Sequence, residues 1–141
     1  MSSKEEMRSG ACLCGAVRMT VKPNGTKVGA CHCGMCRKWS GGPLLAIDTD
    51  SDVAIEGEDA LTVFQSSDWA ERGFCSRCGT HLFYRLRQGL HYALPVGLFD
   101  DGDWVFAEQI FIDEKPTYYD FANATENMTG PEVFAKFAPP Q

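Results

Sequence analysis

A mainly β fold is predicted by three observations. Short alternating or compact apolar segments recur between turns rich in glycine, proline and aspartate. No segment carries long helical periodicity. Two pairs of closely spaced cysteines, Cys12 with Cys14 and Cys75 with Cys78, can tie the start of the chain to its middle through a metal ion. A chain of 141 residues, 44% hydrophobic, suits one domain over 1–141 with a modest core, to which a metal staple would add stability.

The elements follow in order. Residues 16–21 alternate after Gly15 and read as a strand, and 43–47 form a compact apolar run. Segments 53–56 and 61–65 bracket Gly57, and further strands are expected over 80–86, 91–96 and 109–112. One short helix is expected over 131–137, with Pro131 in its first turn and Thr129 as its cap, placed to cover a sheet edge. The polar start, 1–9, and the end, 138–141, read as frayed.

Charge narrows the partners. With 13 basic against 19 acidic residues the net charge is -6, and no basic stripe offsets it, so nucleic acid is not an expected partner. Residues 1–9 lack the apolar stretch of a signal peptide, and no run is long enough to cross a bilayer, so a cytoplasmic protein with no membrane partner is expected. In that reducing setting clustered cysteines are metal ligands or catalytic thiols rather than disulfides. The sequons at Asn24, Asn123 and Asn127 are then incidental.

Seven cysteines divide into four and three. Cys12-Leu13-Cys14-Gly15 and Cys75-Ser76-Arg77-Cys78-Gly79 each place a glycine directly after two sulfurs, where positive φ lets amides approach them. Together they make a four-thiolate set for a structural zinc, with iron the main competitor for the same ligands. Cys31-His32-Cys33-Gly34-Met35-Cys36 supplies three more thiolates in a short loop in which Gly34 provides slack. Three thiolates around a divalent cation leave a face uncovered, where a substrate thiol can bind. Arg37 and Lys38 follow at once and either attract a substrate carboxylate or form a solvated basic pair. His32 is the alternative fourth ligand, which would close the site and make it structural.

Other residues carry weaker signals. His81 and His91 sit in strand-like runs and read as packed or surface residues, and Trp39, Trp69, Trp104 and Phe74 read as core or as pocket walls. Asp48, Asp50, Asp52 and Asp59 imitate a calcium loop, but Val53 replaces the turn glycine and no bidentate glutamate follows, so an acidic β turn is expected.

Taken together, Gly10-Ala11-Cys12-Leu13-Cys14-Gly15-Ala16-Val17, Cys31-His32-Cys33-Gly34-Met35-Cys36-Arg37-Lys38 and Phe74-Cys75-Ser76-Arg77-Cys78-Gly79-Thr80 resemble the glutathione-dependent formaldehyde-activating enzyme family, which includes the centromere protein V domain. The resemblance runs over about 9–119, including Glu108-Gln109-Ile110-Phe111-Ile112 and Lys115-Pro116-Thr117-Tyr118, and leaves 120–141 as an extension. It implies a β-tent of small antiparallel sheets, a structural zinc at Cys12, Cys14, Cys75 and Cys78, and a more labile zinc at Cys31, Cys33 and Cys36. It also implies carbon-sulfur lyase-type activity, joining glutathione to formaldehyde as S-hydroxymethylglutathione. A non-catalytic zinc module that binds a thiol, peptide or protein partner is the alternative. A redox protein using Cys75 and Cys78 is weaker, because the strand-then-helix context of a redox C-x-x-C is missing.

Overall fold

The computed structural model describes residues 7–137. Its eleven strands and two α-helices run β1 (Arg8–Ala11), β2 (Arg18–Val21), β3 (Lys27–Cys31), α1 (Gly34–Ser40), β4 (Leu44–Thr49), β5 (Ala54–Glu56), β6 (Leu61–Gln65), β7 (Ala70–Cys75), β8 (His81–Leu86), β9 (Tyr92–Pro95), β10 (Val105–Ile110), β11 (Glu126–Met128) and α2 (Gly130–Phe137). The mainly β architecture with a short C-terminal helix is as expected. Of the polar start, residues 1–6 lie outside the described residues, as does 138–141, while Arg8 and Ser9 already belong to β1. No helix among the described residues is long and apolar enough to cross a membrane.

The chain divides into two compact units. The first takes the chain up to Thr26 together with Ile47–Asp103. Within it β1, β2 and β5 form an antiparallel sheet in that order, and β9, β8, β7 and β6 form a second antiparallel run. Alternation explains β2: Met19 and Val21 point inward and are fully buried, while Arg18 points out. They join Val17, Ile47, Leu82, Phe83 and Leu94 in the core.

The second unit takes Lys27–Ala46 and Trp104–Gln141, and its strands lie in the order β11, β10, β3, β4, the last contributing its first three residues. β10 pairs in parallel with both β3 and β11, whereas β3 and β4 are antiparallel. β3 alternates cleanly, with Val28 and Ala30 inward and Lys27 outward. One extra residue in β10, between Phe106 and Glu108, shifts the register so that Gln109 stands opposite Ala30. Because side chains alternate between faces, that bulge turns Gln109, not Glu108, to the inward side of β3.

α2 begins with a reciprocal cap. The Glu132 amide donates to Thr129 Oγ1 at 3.3 Å, and the Thr129 amide donates to Glu132 Oε1 at 2.7 Å. Asp113 and Glu114, adjacent in a 3-10 turn, accept the first amides of both helices: Gly130 to Asp113 at 2.7 Å and Gly34 to Glu114 at 2.9 Å.

Candidate metal centres

The first cluster lies within the first unit. Cys12 follows β1 directly and Cys75 ends β7. After each pair the chain turns through a left-handed glycine, Gly15 at φ 83° and Gly79 at φ 80°, with Gly15 N–H donating to the Cys12 carbonyl at 3.0 Å and Gly79 N–H to the Cys75 carbonyl at 2.7 Å. These turns bring four sulfurs within 4.8 Å of one another. Four ligands at the usual zinc–sulfur length of about 2.3 Å form a tetrahedron with edges of about 3.8 Å. The Cys12–Cys14 and Cys14–Cys75 sulfurs stand 3.6 and 3.8 Å apart, so the set fits one shared four-coordinate ion.

Neutral donors support these sulfurs. The Val17 amide donates to Cys12 Sγ at 3.3 Å. Thr80 joins the two knuckles: its Oγ1 accepts the Leu13 amide at 3.0 Å and lies 3.2 Å from Cys78 Sγ, leaving its proton for that sulfur. The hydrogen bond from Thr80 is the largest influence pulling the Cys78 thiol down to about 5.

The second cluster, within the second unit, is built from a strand end and a helix start. Cys31 closes β3, Cys33 is the extended N-cap of α1 with its Sγ accepting the Cys36 amide at 3.3 Å, and Cys36 lies in the first turn. The expected short loop is thus replaced by a seven-residue helix, and Gly34 is its first residue rather than slack, its amide held by Glu114. Gly41, at φ 82°, ends the helix by donating to the Arg37 carbonyl. The three sulfurs converge on one point. Their hydrogen bonds hold Cys33 far below, and Cys31 far above, the usual thiol range, the pattern of close thiols sharing one negative charge.

His32 does not complete this set. It is fully buried, and both its ring nitrogens have other partners: Nδ1 lies 2.6 Å from the Tyr119 hydroxyl and Nε2 lies 2.8 Å from Gln109 Oε1. Gln109 gives its own amide protons to Thr125 Oγ1 at 2.9 Å, which leaves Oε1 to accept from Nε2–H and Nδ1 to accept from Tyr119. Burial pushes the imidazole below its ordinary value, in keeping with this neutral tautomer. The closed-site alternative therefore lacks its ligand.

Both candidate substrate-binding residues lie on α1. Arg37 is half-buried, and its Nε donates to the His32 carbonyl at 2.9 Å, so part of its donor set supports the backbone of the cluster. Lys38 is exposed. Elsewhere, His91 donates to Asp50 at 2.8 Å, His81 is half-buried in β8, and Trp69 is 52% exposed, so it is not core. Asp50 is held by His91 and Asn24 while Asp59 faces Arg77 at 3.5 Å, which breaks up the calcium-like pattern. Thr80, Gln109, Tyr119 and Glu114 acquire site roles that sequence reading did not assign. All four lie in segments that carried the family resemblance or directly beside them, but nothing in their spacing marks them.

Comparison with known proteins gives the chain's relatives. Residues 7–114 match the family model of the glutathione-dependent formaldehyde-activating enzyme. A Schizosaccharomyces pombe protein named as an uncharacterised lyase is 35% identical over 126 residues, covering 88% of this chain and 92% of its own. A Halomonas elongata protein, named provisionally as a glutathione-dependent formaldehyde-activating enzyme, is 35% identical over 83 residues, covering 52% of this chain and 53% of its own. A crystal structure of a Rhodobacter sphaeroides protein superposes with a TM-score of 0.58 at 26% identity, covering 67% of this chain and 90% of that one.

Proposed function

Because the chain belongs to the glutathione-dependent formaldehyde-activating enzyme family, we propose that it is a zinc-dependent carbon-sulfur lyase-type enzyme that joins a thiol such as glutathione to a small aldehyde such as formaldehyde. One observation carries this reading: three sulfurs converge at Cys31, Cys33 and Cys36, and the adjacent histidine is committed elsewhere through both nitrogens. Among the described residues no further cysteine, histidine or carboxylate joins the three, which supports a position for an incoming thiol.

Cys12, Cys14, Cys75 and Cys78 would hold a structural zinc, and Cys31, Cys33 and Cys36 a more labile one. The labile ion, when bound, supplies a Lewis acid that lowers the pKa of a substrate thiol from its ordinary value near 8.5. In the reaction the thiol sulfur forms a bond to the aldehyde carbon, the carbonyl π pair moves to oxygen, and the thiol proton ends on that oxygen as S-hydroxymethylglutathione. Arg37 and Lys38 oppose the chain's net charge of -6 at the place where a carboxylate-bearing thiol must approach. Holding both reactants there removes part of the entropic cost of their meeting. A reducing compartment such as the cytoplasm would keep all seven thiols available.

The test mixes zinc-loaded protein with glutathione and formaldehyde and follows adduct exchange by NMR against buffer. Acceleration by the wild type, lost in a folded Cys33→Ser variant, is expected. A rate equal to buffer would remove the reaction, and two tightly held metals indifferent to glutathione would favour the non-catalytic zinc module.

A further inference from the structure

We propose that His32 is a positioning residue that aims the thiolates on either side of it at one cation while being withheld from coordination itself. Side chains alternate along an extended strand, so Val28, Ala30 and His32 fall on one face and Gly29, Cys31 and Cys33 on the other. The burial follows that alternation: Val28, Ala30 and His32 are buried, while Cys31 and Cys33 are only half-buried. Cys33 keeps extended backbone, φ -64° and ψ 157°, so the alternation persists through the motif before α1 begins. Fixing His32 inward therefore turns both flanking sulfurs outward together.

The fixing is complete. The His32 amide donates to the Ile110 carbonyl at 3.1 Å, continuing the parallel ladder past Cys31, and its carbonyl accepts Arg37 Nε at 2.9 Å. Nδ1 accepts the Tyr119 hydroxyl and Nε2 donates to Gln109. The rings of Tyr119 and Phe121 pack on the imidazole with centroids 5.5 and 6.1 Å away. Every hydrogen-bonding group of the residue is thus engaged, and a plain apolar residue in its place would pack but would not be held in rotation. The hydrogen bonds continue from Gln109 through Thr125 to Asn127, so the anchor extends into β11.

The inference rests on the metal-holding part of the function proposed above, and not on the identity of the substrate. It is tested with Tyr119→Phe and Gln109→Leu, which remove anchors without touching a sulfur, beside His32→Phe as the direct change. Cobalt is titrated into the full metal-free chain, and the sulfur-to-cobalt and ligand-field absorption of each cluster is followed together with chelator competition. The expected result is a second cluster that binds 10- to 100-fold more weakly, with altered ligand-field bands, while the first cluster is unchanged. A residue that served only as core filling would lower the melting temperature and leave the spectrum alone. Wild-type affinity and spectrum in folded Tyr119→Phe and Gln109→Leu would overturn the proposal. So would a cobalt spectrum showing nitrogen coordination that is lost in His32→Phe. Because the readout needs no thiol or aldehyde, a failed adduct assay would leave this result standing, and an unchanged spectrum would leave the adduct reaction standing.

Discussion

The Thr80 hydroxyl stands 3.2 Å from Cys78 Sγ and accepts the Leu13 amide, so one side chain spans both knuckles of the first cluster. Thr80→Val keeps the shape and loses both hydrogen bonds. Removing such a partner typically costs 10- to 100-fold in metal affinity. The variant is expected to show that loss at the first cluster by chelator competition, with the second cluster unaffected. Wild-type affinity at the first cluster would assign Thr80 to packing alone.

Gly57 and Gly89 share a φ of 85° but not their surroundings. A Cβ at Gly57 would sit 1.9 Å from the Ala16 carbonyl oxygen, just beyond the first knuckle, whereas at Gly89 nothing lies within 4 Å. Left-handed backbone alone costs a non-glycine residue about 1–2 kcal/mol. Gly89→Ala should lose about that much in urea unfolding. Gly57→Ala must also displace main chain and should lose at least about 3 kcal/mol, or fail to fold. Equal losses would mean that the Ala16 contact yields freely.

Asp50 accepts hydrogen bonds from His91 at 2.8 Å and Asn24 at 3.0 Å, and the bond from His91 is the largest influence holding its carboxyl below the usual range. A depressed folded pKa means that the unfolded chain binds the proton more readily. The contribution to stability is therefore present above the unfolded value of about 3.9 and is lost as pH falls through the folded value. Exposure and solvent screening keep it below about 1 kcal/mol. Asp50→Asn should lie slightly below wild type in urea midpoint at neutral pH and converge on it below about pH 4. A gap independent of pH would refute the linkage.

The two cysteine groups were legible because each is built from knuckles whose sulfurs lie two or three residues apart, and because the two knuckles of the first group, 61 residues apart, share the same form of two sulfurs followed by glycine. Segment 61–65 was legible as β6, and Thr129 as a cap, for similarly local reasons. The helix α1 escaped because it spans seven residues, too short for periodicity, and is capped by Cys33 rather than by an oxygen-bearing side chain. β7 escaped because Arg72 and Gly73 interrupt the apolar alternation that marks a strand. The partners of His32 were out of reach for a different reason: Gln109 and Tyr119 lie 77 and 87 residues away, and a bulge in β10 decides which residue faces inward.

Arg37 and Lys38 are adjacent cations in different surroundings, and kinetics can divide the roles proposed for them. Arg37 spends its Nε on the His32 carbonyl, while Lys38 is exposed on α1. If glutathione is the thiol, Lys38→Met should raise KM several-fold at low salt with kcat unchanged, and the difference should shrink as added salt screens the attraction. Arg37→Met should lower kcat as well, because it loosens the backbone between the Cys31 and Cys33 sulfurs. Arg37→Lys keeps the charge but not the planar donor set, so it should retain most of the attraction and still lose kcat. Equal effects of Lys38→Met and Arg37→Met, with wild-type kinetics in Arg37→Lys, would show that the pair acts through charge alone. Wild-type kinetics in Lys38→Met at low salt would leave substrate attraction to other residues.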